Sequence, residues 1–167
     1  MVGRIESGRN TVMISRDHVA RIFRHLEENQ AQRFYDHVSD QVEWTVMGTH
    51  PLAGTYCSKQ EFLERVSRSL GTRLEDDRAM KVSHVHVDGT TAIVEMNLNA
   101  ATRSGEPFYN TYCWVTEFDR HGKIAVVRAY LDSVAIERLM REGGGTPAAP
   151  GDKSSTNDNN HLGEATP

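Results

Sequence analysis

Residues 91–131 read TAIVEMNLNAATRSGEPFYNTYCWVTEFDRHGKIAVVRAYL. Two clusters of turn formers, Arg103-Ser104-Gly105-Glu106-Pro107 and Asp119-Arg120-His121-Gly122, cut this stretch into three segments. Apolar side chains recur at alternate positions in each segment, the period of a β-strand. A fourth segment, about Ala79 to Val87, precedes them across Asp88-Gly89, a dipeptide favoured in tight hairpins. The pattern predicts an antiparallel meander of strands over about 79–87, 91–102, 108–118 and 123–131. Both faces of it hold apolar residues. In the second strand Val94, Met96 and Leu98 share one face, and Ile93, Glu95, Asn97 and Asn99 the other. In the third, Phe108, Asn110, Tyr112, Trp114 and Phe118 oppose Tyr109, Cys113 and Val115.

Upstream the period is helical. Ser15 caps a first helix with Val19, Ile22, Phe23 and Leu26 on one stripe. A shorter helix carries Phe34, Tyr35 and Val38, and a strand follows with Val42, Trp44 and Val46 on one side. Residues Thr49 to Gly54 read as a loop. Ser58 and Glu61 form a capping box for a third helix with Phe62, Leu63, Val66 and Leu70 along one face. A terminal helix starts at Asp132 or Ser133 and carries Val134, Ile136, Leu139 and Met140. This order is α+β, with helices covering one face of the sheet.

Composition bounds the function. The chain of 167 residues holds one domain with a real core, over 15–141. Residues 1–14 read as a loose N-terminus and 142–167, rich in Gly, Pro, Ser, Asn and Asp, as a disordered tail. A net charge of −4 leaves no basic footprint for nucleic acid. No apolar run approaches the roughly 18 residues of a membrane span, and the first residues lack a secretory signal. Cys57 and Cys113 have no metal spacing and read most simply as reduced thiols of a cytoplasmic protein, with a lone disulfide between them as the alternative. No phosphate loop or dinucleotide fingerprint occurs, so no cofactor is expected.

Val42-Glu43-Trp44 through Gly48-Thr49-His50-Pro51-Leu52-Ala53-Gly54, with Gly122-Lys123-Ile124 and Arg128-Ala129-Tyr130-Leu131-Asp132, resembles the landmarks of SnoaL-like proteins. Ketosteroid isomerase and limonene epoxide hydrolase share these landmarks within the nuclear-transport-factor-2-like superfamily. The resemblance implies a cone-shaped, curved antiparallel sheet wrapped by N-terminal helices and enclosing a pocket. It also implies a small hydrophobic or polycyclic organic ligand. The known catalytic groups are absent, however. The isomerase's base falls near Trp44 or Thr45, its tyrosine near Ile22 and its second aspartate near Trp114. The cyclase and hydrolase aspartate of the last strand falls on Ala129. The hydrolase's arginine and other aspartate fall on Glu95 and Asn97, and its water-holding tyrosine and asparagine on Trp44 and Val46.

The same alignment turns Glu95, Asn97 and Asn99 inward with Asn110, Tyr112 and Trp114, beside Trp44, Val46, Val127 and Ala129. Hairpin pairing of Asn97 with Trp114, and of Trp114 with Val127, agrees with it. Glu95 is then the one carboxylate in an aromatic cavity, either a general acid or base of raised pKa or a group satisfied by an arginine or a helix end. Asn97, Asn110 and Tyr112 orient a carbonyl or form an internal polar network. His50 sits at the pocket mouth as a proton shuttle or a solvated loop residue, and Tyr56 and Phe62 contact ligand or simply pack. Asp132 reads as a helix cap. His84 and His86 share a strand face without a third ligand, so no metal is expected. The leading expectation is a cofactor-independent acid–base enzyme with Glu95 and Asn97 catalytic. The family resemblance, rather than the residues, implies its substrate, a small cyclic polyketide- or terpenoid-like carbonyl compound undergoing isomerisation, cyclisation or dehydration. The alternative is a non-catalytic binding or dimerisation protein. An outward apolar face of Val94, Met96, Leu98, Val115 and Tyr130 predicts a homodimer.

Overall fold

A computed structural model describes residues 13–142. Ser15 Oγ accepts from His18 N at 3.2 Å and starts α1 (Arg16–Glu27), whose Val19, Ile22, Phe23 and Leu26 are buried. The short α2 (Ala31–Tyr35) leads into β1 (Val38–Val46), so Val38 belongs to a strand rather than to the second helix. A three-residue strand not expected from the sequence, β2 (Gly54–Tyr56), then pairs with β1, beginning at the last residue of the expected loop. Ser58 caps α3 (Lys59–Phe62), which continues as a π-helical turn (Leu63–Ser67) into α4 (Arg68–Gly71). The meander follows: β3 (Met80–Asp88), β4 (Thr91–Ala101), β5 (Pro107–Phe118) and β6 (Ile124–Leu131). Asp132 Oδ1 accepts from Val134 N at 2.9 Å and Ala135 N at 3.2 Å, capping α5 (Ser133–Glu142).

The sheet order is β2-β1-β6-β5-β4-β3. All pairs are antiparallel except β1 with β6, which brings the end of the meander back against the first strand. The result is the expected α+β architecture, a curved, unclosed six-stranded sheet with helices against its concave side. Helix α1 is fastened to the edge strand, with Arg16 Nε donating to Val85 O and Glu27 Oε1 accepting from Val82 N. Ile14, assigned from sequence to the loose N-terminus, is 7 % exposed and donates its N–H to Gly89 O. The remainder of the N-terminal flank, residues 1–12, and of the tail, 143–167, lies outside the described residues. Among the described residues no helix is long and apolar enough to cross a membrane.

One face assignment needs correction. On β4 it is Ala92, Val94, Met96 and Leu98 that are buried in the core, whereas Glu95 and Asn99 are exposed and Asn97 is half-exposed on the outer face. Asn97 pairs with Thr111, and Val94 with Trp114. The expected partner of Asn97, Trp114, stands three residues away from the observed one. A slip by an odd number exchanges the two faces of a strand. Trp114 pairs with Ala129 rather than Val127, a slip of two residues that leaves the β6 faces as expected. Val94, Met96 and Leu98 therefore do not form an outward apolar face.

Candidate functional site

Between the concave sheet and the helices lies a cavity of about 170 Å³. The sheet contributes Trp44, Val46, Leu98, Tyr112, Trp114 and Ala129, and the opposite wall Tyr35, Phe62, Val66, Ser67 and Arg78. Its size exceeds that of an apolar cavity known to hold benzene, about 150 Å³. The π-helical turn matters locally because it sets consecutive residues, Val66 and Ser67, against the same space.

Aromatic packing fixes the ring orientations. Trp44 stacks on Phe62 with centroids 3.9 Å apart, and Trp114 meets it edge-on at 5.1 Å. Tyr112 stands edge-on to Trp114 at 6.4 Å. The indole Nε1 atoms of Trp44 and Trp114 are both buried without a hydrogen-bond partner among the described residues. Leaving a buried donor unpaired costs about 1–3 kcal/mol. Tyr112, only 4 % exposed, makes no side-chain hydrogen bond within the described chain, and burial pushes its pKa upward, keeping it a phenol. Tyr35 is pushed up to about 12 by burial, against the opposing pull of Ser67 and Arg78. Indole is a donor only and a neutral phenol can donate. Tyr112 thus leaves a phenolic hydroxyl without a partner on the cavity wall, whereas the two indole N–H groups are sealed within the aromatic packing.

His50 also lines this space, but both its ring nitrogens are engaged by backbone. Nδ1 accepts from Leu52 N and Nε2 faces Met47 O, each at 3.2 Å, which assigns the proton to Nε2. Burial lowers its pKa, the Met47 carbonyl opposing, so the ring is neutral at pH 7. Tyr56 is buried with its hydroxyl on Leu52 O, 2.9 Å away. Asn110 is consumed by exchanging hydrogen bonds with the Asp132 backbone. It and Val127 are buried on the inner face, but neither they nor Tyr56 line the cavity.

Glu95 and Asn97 lie on the other side of the sheet. Glu95 Oε2 is 3.2 Å from His84 Nδ1. Asn97 bonds Ser83, Tyr109 and Thr111, and Asn99 is exposed. No Asp or Glu lines the cavity; its titratable groups are Tyr35, His50, Arg78 and Tyr112. Tyr35 and Arg78 were not singled out from sequence. Tyr35 lay on a helical stripe that reads as packing, and Arg78 in the charged run Glu75-Asp76-Asp77-Arg78, which reads as solvated. Among the described residues no cluster of three or more His, Cys, Asp or Glu is placed to hold a metal, and both cysteines are free thiols.

A helix-wrapped curved sheet around an aromatic cavity is the nuclear-transport-factor-2-like fold. A family model described as a SnoaL-like domain matches residues 19–127, and the chain belongs to that family. It is 29 % identical over 131 residues to the dimerizing cyclase phiC of a fungal species (strain ATCC 74256), a match covering 76 % of this chain and 57 % of that protein. It is 33 % identical over 99 residues to the dimerizing cyclase tstC of Talaromyces stipitatus, covering 57 % and 44 %. The chain therefore spans about half the length of these relatives. Among solved structures, an NTF2-like protein of Burkholderia thailandensis is 26 % identical with a TM-score of 0.63, over 73 % of this chain and 93 % of that one. An LEH-like epoxide hydrolase of Mycobacterium tuberculosis shares the fold at 17 % identity and a TM-score of 0.54, over 75 % and 87 %.

Proposed function

We propose that this protein is a cofactor-independent enzyme of cyclase or isomerase type acting on a small, cyclic polyketide- or terpenoid-like carbonyl compound. The observation that carries the reading is the Tyr112 hydroxyl, which makes no hydrogen bond among the described residues, on the wall of an aromatic cavity shared with Trp44 and Trp114. A donor held rigidly on the cavity wall stabilises the oxyanion that forms as a carbonyl enolises and need not reorganise to do so, while the proton from the neighbouring carbon passes to water entering at the open end of the cavity. Membership of the SnoaL-like family and the likeness to two proteins named dimerizing cyclases support the reaction class. No proton is routed through Glu95 or Asn97, because both lie across the sheet from the cavity.

The test is deuterium exchange at the carbon next to the carbonyl, followed by NMR in D2O across a panel of enolisable cyclic ketones. The wild-type chain should accelerate exchange of at least one member, and Tyr112→Phe should slow it by about 100-fold. Glu95→Gln should leave it unchanged. Exchange no faster than in buffer, or a fully active Tyr112→Phe, rejects the donor mechanism. A second reading, a non-catalytic small-molecule-binding protein, is favoured by the absence of a carboxylate from the cavity wall. It predicts binding of the same ketones without exchange.

A further inference from the structure

We infer that Arg78 makes one end of the cavity a subsite for an anionic group, so that the preferred ligand carries a carboxylate, or an oxyanion of similar acidity, beside its carbonyl. This rests on reading the cavity as the binding site. Arg78 is the one formally charged side chain on the cavity wall at neutral pH. Its side chain is 28 % exposed, and its neighbour in the lining, Asn29, is exposed, so this end of the cavity meets solvent.

The guanidinium is held but not neutralised. Arg78 N donates to Asp76 O, closing a tight turn, and Asn29 Nδ2 donates to the same carbonyl at 2.9 Å, tying the turn to the end of α1. Arg78 Nη1 donates to Glu75 O at 2.9 Å and reaches Leu74 O at 3.5 Å. Nη2 forms no hydrogen bond among the described residues. The nearest carboxylate, Asp76, is 3.6 Å from Nη1, but it is 86 % exposed and also pairs with Arg103 at 3.0 Å. An exposed, shared partner of this kind contributes little. A Cβ at Gly71 would stand 3.2 Å from Nη2, so the glycine leaves the guanidinium room. An arginine anchored through one nitrogen and free at the other suits a carboxylate arriving from an apolar cavity. The Tyr112 hydroxyl then remains for the carbonyl.

Both tryptophans of the chain line the cavity, so intrinsic tryptophan emission reports its occupancy alone. The probes are 3-oxocyclohexane-1-carboxylate and its carboxamide, titrated against the full chain. The two have nearly the same shape and differ in charge. Wild type should bind the carboxylate about tenfold more tightly than the amide. Arg78→Gln should abolish that preference and leave amide affinity within about twofold, as expected when only a charge-assisted bond is lost. Gly71→Ala, which crowds Nη2 without removing it, should weaken carboxylate binding selectively and serves if Arg78→Gln does not fold. Equal affinities in wild type, or a preference that survives Arg78→Gln, overturn the subsite while leaving the cavity reading in place. Unchanged emission with both probes at millimolar concentration counts against the cavity itself, and the subsite falls with it.

Discussion

At the scale of single residues, two histidines make stability depend on pH. His50 is buried with both nitrogens on backbone groups, and His37 stacks on His25 with ring centroids 5.8 Å apart. The pKa of each is lowered, in both cases first by burial. For His37 the charges of His25, Lys123 and His18 add to this, and Asp36 opposes it. A folded pKa below the unfolded value of about 6.5 means that the unfolded chain takes up protons the folded one refuses. Their stabilising contribution is complete above about pH 7 and is lost as pH falls from about 6.5 through the lowered folded values. Urea midpoints should be level between pH 7 and 8 and drop toward pH 5, and His50→Gln should flatten part of that slope. A midpoint independent of pH over this range contradicts the assignment of a neutral, backbone-held His50. The chemistry of such residues was only partly legible in sequence. Trp44, His50, Tyr112 and Trp114 could be placed at the cavity because regular strand period, or the loop next to it, carries them. Arg78 could not, because an irregular turn brings it there.

Among the elements, the connection from β1 to β2 shows what a single close approach demands. Gly48 has φ +117°, and a Cβ there would stand 2.3 Å from Ser133 Oγ at the start of α5. Ser133 follows the Asp132 cap directly, so a side chain at residue 48 would press on the start of the last helix. Gly48→Ala should destabilise the protein by about 2 kcal/mol, lowering the melting temperature by about 5–10 °C. An unchanged melting curve would falsify the close approach. Helix stripes and strand periods are local patterns, and they revealed α1, the meander and α5 from residues alone. Which way β4 faces is not local. It depends on how many residues the turn before Pro107 leaves unpaired, and the observed Ala101–Pro107 pairing puts Met96 inside and Glu95 outside. Hydrophobicity within β4 agrees with the observed face, since Ala92, Val94, Met96 and Leu98 are all apolar and Glu95, Asn97 and Asn99 are not; the family alignment pointed the other way. The fold tolerated that error; the candidate acid did not.

For the whole molecule, the outer face of the sheet raises the question of assembly. It exposes Tyr109 at 56 %, Tyr130 at 46 % and Ile93 at 37 %. Cross-strand pairing sets Ile93 beside Val115, and Cys113 beside Tyr130, near the middle of the meander. The polar groups around them are matched within the chain: Arg128 with Glu117 at 2.7 Å, His84 with Glu95 at 3.2 Å, and Asn97 with Ser83 and Tyr109 at 3.0 Å. A face whose charges already have partners loses less on leaving water than one with free charges. We propose a homodimer built on this face, in place of the one expected from Val94, Met96 and Leu98, which are buried in the core. Light scattering at tens of micromolar should give twice the chain mass. Ile93→Lys should return the protein to monomer with its melting temperature nearly unchanged, because the substituted side chain points away from the core. Met96→Lys would not separate the two effects, since Met96 is fully buried and a charge there attacks folding itself. A monomeric wild type with a normal melting curve removes the dimer, and the exposed tyrosines then belong to an ordinary solvated face.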